Sequence, residues 1–349
     1  MHWNEVRPEN LKRLKVNYNL DNVTPYIISE RITSPDMVYL DWNESSYFPD
    51  IVEWCLKDGH LSRLNQYPDP TNSTLRNELA LYTNTDKEFI QCFNGSDAAL
   101  DYSFRTVLNE EDRVLIPYPN YTQVNQTIQS LGAEIHHCDI GKLEEKIQTL
   151  EPEMVYLSIP NNPIGYDYDI IPLVEKYKNT CFLVDEAYHE YNPESTIFDR
   201  AYKHSNLIVT RTFSKGFGLA GVRLGYLTAN SYIIDKIKTI KNFKDVSRLA
   251  ESAGVAALQN RGTIFEDIVE QLETKKTFIS EIKCSRVYDS KANFVLIEHP
   301  KLQEIIEDLK DNNILVRDRS QYIANSMRIT IGKPDIMQAV TKIINRHEI

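Results

Sequence analysis

The sequence predicts an α/β fold in which a large domain carries a mostly parallel sheet flanked by helices, and a smaller α+β domain follows it. The chain has 349 residues, more than a single hydrophobic core usually organises. From about residue 90 to residue 230, short apolar runs alternate with helical patterns, which is typical of a parallel sheet covered by helices. After about Val246, longer helices precede short strands. We therefore expect an arm over residues 1–45, a large domain over residues 46–245 and a small domain over residues 246–349.

The predicted arm comes first, and Pro8, Pro25 and Pro35 interrupt any long helix in it. The arm contains no apolar core of signal-peptide length, and no later segment approaches the apolar run that a membrane span needs. A net charge of −11 and a pI near 5.3 argue against a nucleic-acid-binding surface. The five cysteines are widely spaced and form no metal-binding pattern. We expect a cytoplasmic protein that binds neither membranes nor nucleic acid and has no metal site.

The large domain contains six apolar runs that we interpret as strands. An apolar stripe at Leu100, Phe104, Val107 and Leu108 predicts a helix over Ser96–Leu108 ahead of them. Open α/β sheets bind ligands beyond the carboxyl ends of their strands, so we expect chemistry in the residues that follow each run. The strand candidates are Arg113–Pro117, Glu134–Asp139, Met154–Ile159, Cys181–Val184, Leu207–Phe213 and Arg223–Thr228.

The small domain begins with helical patterns around Leu249–Gln259 and Ile264–Ile282. Short strands are expected near Asn293–Ile297, Ile314–Val316 and Met327–Ile331, and a final helix follows them. Long helices beside a few short strands indicate an α+β unit rather than a continuation of the alternating pattern.

Lys215 lies just after the strand candidate Leu207–Phe213. A lysine at the end of an apolar strand lies at the edge of a site, where desolvation lowers the pKa of the amine and makes it a nucleophile toward an aldehyde. Hydroxyls at Thr212 and Ser214, the guanidinium of Arg223 and nearby glycines are groups that bind phosphate. The alternative for this motif alone is a surface lysine in a glycine-rich loop.

Two further strand candidates run into polar side chains. Asp185 follows Cys181–Val184 and could pair with a pyridinium nitrogen, while Tyr188 could donate to a phenolic oxygen of the same ring. Asn162 lies in a rigid turn after Met154–Ile159 and could bind the same oxygen. Taken singly, Asp185 fits a helix cap or a solvated loop equally well, and Asn162 fits an ordinary turn.

Two more segments could contribute to such a site. Gly95, Ser96 and Asp97 open the predicted helix with free N–H groups and a dipole that favour phosphate, although an ordinary N-cap would look the same. Tyr121 follows a strand in a proline-rich loop and could stack on an aromatic ring, although such a tyrosine more often serves packing.

In this order and spacing, these segments resemble the fold-type I enzymes that use pyridoxal 5′-phosphate (PLP), within the class I and II aminotransferase group. They are similar to histidinol-phosphate aminotransferases in particular, over roughly residues 40 to 332. The resemblance implies a PLP-dependent transferase fold of type I, transaminase activity and PLP as the cofactor. The segments that carry it are Tyr67–Pro70, Asn94–Asp97, Pro160–Gly165, Val184–Tyr188, Thr212–Lys215, Arg223–Tyr226 and Ser326–Thr330.

The resemblance also implies roles for the cofactor residues. Lys215 would be the Schiff-base lysine and proton shuttle, and Asp185 would bind the pyridine nitrogen. Asn162 and Tyr188 would bind the phenolic oxygen, and Tyr121 would stack on the ring. The residues expected at the phosphate, through side chain or backbone, are Gly95, Ser96, Asp97, Thr212, Ser214 and Arg223.

For the partner and the substrates, the resemblance implies contacts from several segments. Tyr67 would reach the phosphate of the neighbouring subunit's cofactor, which makes a homodimer the expected working unit. Arg328 would bind an anionic group of the substrate through two hydrogen bonds, and Arg317 and Arg319 are candidates for a second anionic group. The arm motif that begins at Asn43 departs from the family pattern, and that motif helps to shape the acceptor pocket. Glutamate and 2-oxoglutarate are the family's usual donor pair.

Three functions compete for this sequence. The first is an aminotransferase that moves an amino group between an amino acid, glutamate by preference, and a small oxo substrate that carries a phosphate or a carboxylate. The second is a PLP-dependent decarboxylase of a phosphorylated amino acid, because a fold does not fix the reaction. The third is a catalytically idle PLP-binding protein, which unchanged turnover in a Lys215→Ala variant would indicate.

Overall fold

The protein is described by a computed structural model over residues 17–25, 34–57 and 64–347. Pro8 and the rest of residues 1–16 of the predicted arm lie outside the described residues. The strands in this part of the chain are β1 (Val38–Tyr39), β2 (Ile90–Phe93), β3 (Arg113–Pro117), β4 (Glu134–Cys138), β5 (Met154–Ser158), β6 (Cys181–Asp185), β7 (Leu207–Thr212), β8 (Gly225–Ala229), β9 (Arg286–Val287), β10 (Phe294–Glu298), β11 (Ile314–Leu315), β12 (Arg317–Asp318) and β13 (Ser326–Thr330).

The α-helices alternate with the strands in the middle of the chain and dominate its last third. No helix in the described ranges is long and apolar enough to cross a membrane. The helices are α1 (Ile51–Lys57), α2 (Ser73–Thr83), α3 (Gly95–Val107), α4 (Val124–Ser130), α5 (Leu143–Leu150), α6 (Ile171–Lys176), α7 (Phe198–Ala201), α8 (Ser231–Ile240), α9 (Arg248–Gln259), α10 (Arg261–Glu281), α11 (Leu302–Asp311) and α12 (Pro334–Arg346).

A seven-stranded sheet in the order β2-β8-β7-β6-β5-β3-β4 organises the large layer of the fold. The strands are parallel except β8, which is antiparallel to both of its neighbours. Helices α3, α4 and α8 pack on one face and α2, α5, α6, α7 and α9 pack on the other. Because both faces are covered, β5 and β7 are buried along their whole length, as their continuous apolar runs indicate.

A second sheet is antiparallel, with the order β12-β13-β10-β9, and packs with α10, α11 and α12. Strand β1 from the beginning of the described chain pairs in parallel with β11, so that Val38 lies opposite Ile314. Leu40 then enters the same apolar core as β10 and β13. The residues just before position 45 are therefore attached to the C-terminal sheet.

The predicted α/β class is confirmed, and every named strand and helix is found within three residues of its expected bounds. Strand β8 begins at Gly225 rather than at Arg223, because Arg223 has a left-handed backbone with a φ of 56°. Strand β2 was not predicted. The proposed divisions near residues 45 and 245 stay a prediction.

Candidate active site

A cavity of about 510 Å³ opens where the parallel strands of the large sheet end. Ser158, Asp185 and Thr212 are the last residues of β5, β6 and β7, and all three line it. This is the edge at which open α/β sheets bind ligands. The predicted site residues that line this cavity are Asn43, Ser96, Asp97, Tyr121, Asn162, Asp185, Tyr188, Thr212, Ser214, Lys215, Arg223, Arg317, Arg319 and Arg328.

Lys215 extends into this cavity from the loop after β7. Its Nζ donates a hydrogen bond to the carbonyl oxygen of Trp42 at 2.7 Å. Burial, and then the positive charge of Arg328, lower the pKa of the Lys215 amine to about 8. About a tenth of the amine is therefore uncharged and nucleophilic at pH 7, far more than for a lysine with an ordinary pKa.

Asp185 is buried beneath the cavity at the end of β6, with 5% of its surface exposed. Burial raises the pKa of its carboxyl to about 7, although a hydrogen bond from Thr210 Oγ1 to Asp185 Oδ1 at 3.1 Å favours the ionised form. A positively charged N–H group brought against Asp185 would lower this pKa again. The site therefore suits a ring nitrogen that must keep its proton.

Tyr188 and two amides form a polar cluster beside Asp185. Asn43 Nδ2 donates to the Tyr188 hydroxyl at 2.8 Å, and Asn162 Nδ2 donates to it at 3.3 Å. Among the described residues, none accepts a hydrogen bond from the Tyr188 hydroxyl. Tyr188 can therefore donate that proton to an oxygen in the cavity.

Helix α3 begins at the cavity and forms an anion cradle with Arg223. Gly95 has a φ of 81°, and the preceding Asn94 makes no side-chain hydrogen bond that caps the helix. Arg223 Nη2 lies 3.1 Å from Asp97 Oδ2, and Arg223 Nη1 lies 3.3 Å from Ser214 Oγ. Free N–H groups at a helix start, hydroxyls and a guanidinium are the donor set that binds a phosphate.

Two glycines permit this close packing. A Cβ atom on Gly95 would lie 2.5 Å from Arg223 Nη2, and a Cβ atom on Gly225 would lie 2.3 Å from the backbone nitrogen of Ser96. Any side chain at either position would displace the cradle. Gly95 does not line the cavity itself, so its part is to let Arg223 approach the helix start.

Arg328 and Arg317 enter the cavity from neighbouring strands, since β13 and β12 place their Cα atoms opposite each other. Arg328 Nη1 donates to Asn162 Oδ1 at 2.5 Å and Nη2 donates to the carbonyl oxygen of Asp41 at 2.6 Å. Burial and the charge of Arg319 lower the pKa of Arg328. Within the described ranges, no carboxylate lies within ion-pair distance of Arg328, so it suits an anionic ligand.

The two remaining aromatic candidates have different positions. Tyr121 lines the cavity, and its hydroxyl lies 3.0 Å from Asp97 Oδ1 and 2.5 Å from Gln123 Oε1. Tyr67 does not line this cavity, and 74% of its surface is exposed. Tyr67 therefore lies apart from the other predicted site residues.

Several residues of the cavity wall were not predicted from the sequence. Ser158 Oγ donates to Asn120 Oδ1 at 2.9 Å and accepts from the backbone nitrogen of Asn162 at 3.0 Å, which fixes the turn that carries Asn162. Tyr322 also lines the cavity, and its hydroxyl lies 3.3 Å from Thr122 Oγ1. The position of Ser158 at a strand end was a usable signal, whereas nothing local marks Tyr322.

Comparisons with known proteins by family model, by sequence and by fold all match aminotransferases. The family model described as aminotransferase class I and II matches residues 35–344. The chain is 30% identical to a dihydroxyacetone phosphate transaminase of Campylobacter jejuni, with 95% of this chain and 96% of that protein covered. It is 31% identical to a histidinol-phosphate aminotransferase of Methanocaldococcus jannaschii, with 90% of each covered. A crystal structure of histidinol-phosphate aminotransferase from Sinorhizobium meliloti with PLP matches its fold at a TM-score of 0.82 and 21% identity, covering 97% of this chain and 99% of that one.

Proposed function

The chain belongs to the class I and II aminotransferase family, and on that premise we propose which reaction it carries out and which residues perform it. It is an enzyme of this class, its cofactor is PLP, and its substrates are a small-molecule amino donor and an oxo acceptor. We infer that it transfers the amino group of glutamate to a small phosphorylated oxo substrate. The observation that carries the proposal is that a lysine with a lowered pKa, a buried carboxyl group and four guanidinium groups share one cavity.

The cofactor would be bound through its aldehyde carbon, its ring and its phosphate. Lys215 would hold PLP through its amine, and Asp185 would bind the ring nitrogen. Asn162 and Tyr188 would donate to the phenolic oxygen, with Tyr121 against the ring. The residues that would bind the phosphate are Ser96, Thr212, Ser214 and Arg223, with the backbone around Gly95 and Asp97.

Bound PLP supplies an electron sink that lets the α-carbon of an amine substrate lose a proton. The Nζ atom of Lys215 would take that proton, because its lowered pKa leaves part of the amine uncharged near neutral pH. Asp185 in its ionised form would keep the proton on the ring nitrogen. Tyr322 and Trp42 line the cavity and would limit the space that water can occupy beside the reacting atoms.

The substrate class follows from the arginines and from the relatives. Arg328 would bind the carboxylate of glutamate, and Arg317 would bind the phosphate of the oxo substrate. Both curated relatives are named for a phosphorylated substrate. Asn43 would position Tyr188 and contribute to the acceptor pocket.

We also propose that the working unit is a homodimer in which Tyr67 reaches the phosphate of the partner's cofactor. Its exposed ring and its absence from the cavity of its own subunit support this role. A cytoplasmic location stays a prediction from the sequence.

The test follows the amino nitrogen. Purified protein with PLP and ¹⁵N-glutamate is incubated with dihydroxyacetone phosphate, and in a parallel reaction ¹⁵N-histidinol phosphate is incubated with 2-oxoglutarate. The proposal predicts ¹⁵N in the amine product of at least one reaction, as measured by mass spectrometry, and none with a Lys215→Ala variant. Release of carbon dioxide from a phosphorylated amino acid without nitrogen transfer would support the decarboxylase instead.

A further inference from the structure

Tyr67 contacts two cationic residues that have no role in the proposed reaction. Lys244 Nζ lies 4.0 Å from the centre of the Tyr67 ring. Arg248 Nη2 donates a hydrogen bond to the carbonyl oxygen of Tyr67 at 2.7 Å. Any arrangement that brings Tyr67 to a partner's active site therefore brings Lys244 with it.

The backbone under Lys244 is fixed by its neighbours. Its N–H donates to Asn242 Oδ1 at 3.1 Å, and the N–H of Asn242 donates to the Tyr102 hydroxyl at 3.0 Å. Lys241 and Asp245 form an ion pair of 2.7 Å, and their side chains are 6% and 12% exposed. These contacts hold the backbone of residues 241–245 in one conformation and so fix the position of Lys244.

The charge of Lys244 is not neutralised within the described part of the chain. Its ammonium contacts the rings of Tyr67 and Phe243, at 4.0 Å and 5.3 Å from their centres, and no described carboxylate lies within 4 Å of it. Aromatic faces orient a cation and leave it able to bind an anion. The side chain is exposed at the surface.

Several large apolar side chains are exposed near Lys244 and on neighbouring elements, which is unusual for a monomeric protein. Phe243 precedes Lys244, Leu249 follows Arg248, and α1 packs against α9. Single exposed apolar residues are normal, but several on adjoining elements mark a surface that another chain covers. The exposed large apolar residues are Phe48 just before α1, Val52 and Leu56 on α1, Leu64 shortly before Tyr67 in the chain, and Phe243 and Leu249.

We propose that Lys244 extends with Tyr67 into the active site of the partner subunit and binds a phosphate monoester there. The inference rests on the homodimer of the proposed function. The phosphate has two sources with the same chemistry, the cofactor and the phosphorylated substrate. A lysine is suited to this contact because its ammonium acts as a point charge toward a phosphate.

Two measurements with a Lys244→Ala variant distinguish the sources. One is the dissociation constant of PLP, measured by titration of the PLP-free protein. The other is the KM for the phosphorylated substrate, dihydroxyacetone phosphate or histidinol phosphate, that takes part in nitrogen transfer in the test of the proposed function. We expect one of them to rise about tenfold, the effect of losing one charge-assisted hydrogen bond, while the KM for 2-oxoglutarate stays within about twofold. Lys244→Arg should restore most of the loss.

The matched control is Lys236→Ala. Lys236 Nζ likewise lies over an exposed tyrosine ring, 5.4 Å from the centre of Tyr232, on α8. This variant should leave both quantities unchanged. Equal behaviour of the Lys244→Ala and Lys236→Ala variants would overturn the proposal.

Mixed dimers test whether Lys244 acts across the interface. Differently tagged Lys215→Ala and Lys244→Ala subunits are combined, and the mixed dimer is purified through both tags. Its competent site has its own Lys215 and receives Lys244 from the partner, so its affinity for the phosphate should equal that of the wild type. An affinity equal to that of the Lys244→Ala homodimer would contradict the role of Lys244 but not the homodimer. A monomer in sedimentation that is still active would contradict both the role of Lys244 and the homodimer.

Discussion

At the scale of single residues, the charge state of Lys215 is the property on which the account depends most. Burial and the guanidinium of Arg328 lower the pKa of its amine from 10.5 to about 8. In PLP-free protein, the rate at which trinitrobenzenesulfonate labels Lys215, followed by peptide mass spectrometry, should therefore rise with pH around a midpoint of about 8. A midpoint near that of free lysine would show that the amine is not desolvated.

Removal of the Arg328 guanidinium tests whether its charge lowers the pKa of Lys215. In an Arg328→Ala variant the Lys215 ammonium loses a repulsive neighbour, so its pKa rises and the labelling midpoint moves to higher pH. Arg105→Ala is the control, because Arg105 pairs with Asp101 on the exposed side of α3. A midpoint that moves in the control and not in Arg328→Ala would argue against this cause.

A Gly95→Ala substitution tests whether the start of α3 and Arg223 bind the phosphate of PLP. An alanine there has a strained backbone, and its Cβ atom lies 2.5 Å from Arg223 Nη2, so Arg223 must move away from the helix start. We expect Gly95→Ala to weaken PLP binding by about 10-fold to 100-fold, as the loss of one or two charge-assisted bonds implies. Gly141→Ala is the control because nothing lies within 4 Å of its new Cβ atom. Wild-type affinity in Gly95→Ala would mean that the phosphate is bound elsewhere.

Sequence reasoning reached the residues at strand ends and missed those supplied by distant segments. Asp185 and Lys215 follow apolar runs, so their position at the sheet edge could be predicted. The carbonyl oxygens of Asp41 and Trp42, which accept from Arg328 and Lys215, could not. Backbone acceptors carry no signature of residue type, so only the folded chain reveals them.

At the scale of elements, the segment after β1 connects the two sheets. The N–H of Asn43 donates to Thr330 Oγ1 at 3.1 Å, and the Thr330 hydroxyl lies 2.8 Å from the carbonyl oxygen of Leu40. Asn293 Nδ2 donates to the carbonyl oxygen of Asn43 at 3.1 Å. These buried bonds hold Asn43 against Tyr188.

Substitution of Thr330 measures how much its hydrogen bond with Asn43 contributes to the stability of the fold. Thr330→Val leaves the buried N–H of Asn43 without that partner, so the free energy of unfolding should fall by about 1 to 3 kcal/mol in urea titrations. Thr330→Ser should retain most of the stability. In the control Thr341→Val, the lost hydroxyl bonds only to the Met337 carbonyl one turn earlier in α12, so a smaller loss is expected. A larger loss in Thr341→Val would contradict this assignment.

The same scale shows why some elements could be predicted and others could not. Strands β5 and β7 are long apolar runs that are buried on both faces, and such runs are a local signal. Strand β2 has four residues, includes Gln91 and follows a short 3₁₀ helix, so its run is too brief to be distinctive. The pairing of β1 with β11 involves two residues of each strand and joins distant parts of the chain. Sequence patterns do not record such pairings.

At the scale of the whole molecule, the proposed PLP contacts come from the ends of β6 and β7 and from the loops after β2, β3, β5, β6 and β7. A ligand that binds only the folded state stabilises the fold by mass action. PLP at about 100 times its dissociation constant should raise the free energy of unfolding by about 2.7 kcal/mol, which calorimetry would record as a higher Tm. Arg223→Ala should lose much of this gain and Arg105→Ala none of it. A PLP-independent Tm would contradict a site built by the whole sheet.

The most direct measurement is the identity of the residue that becomes covalently labelled by PLP. The native protein is loaded with PLP, reduced with borohydride, digested and analysed by peptide mass spectrometry. We expect one reduced PLP group per chain on the peptide that contains Lys215, and no label at that peptide in a Lys215→Ala variant. Label on a different lysine, or no label on the loaded wild-type protein, would contradict it.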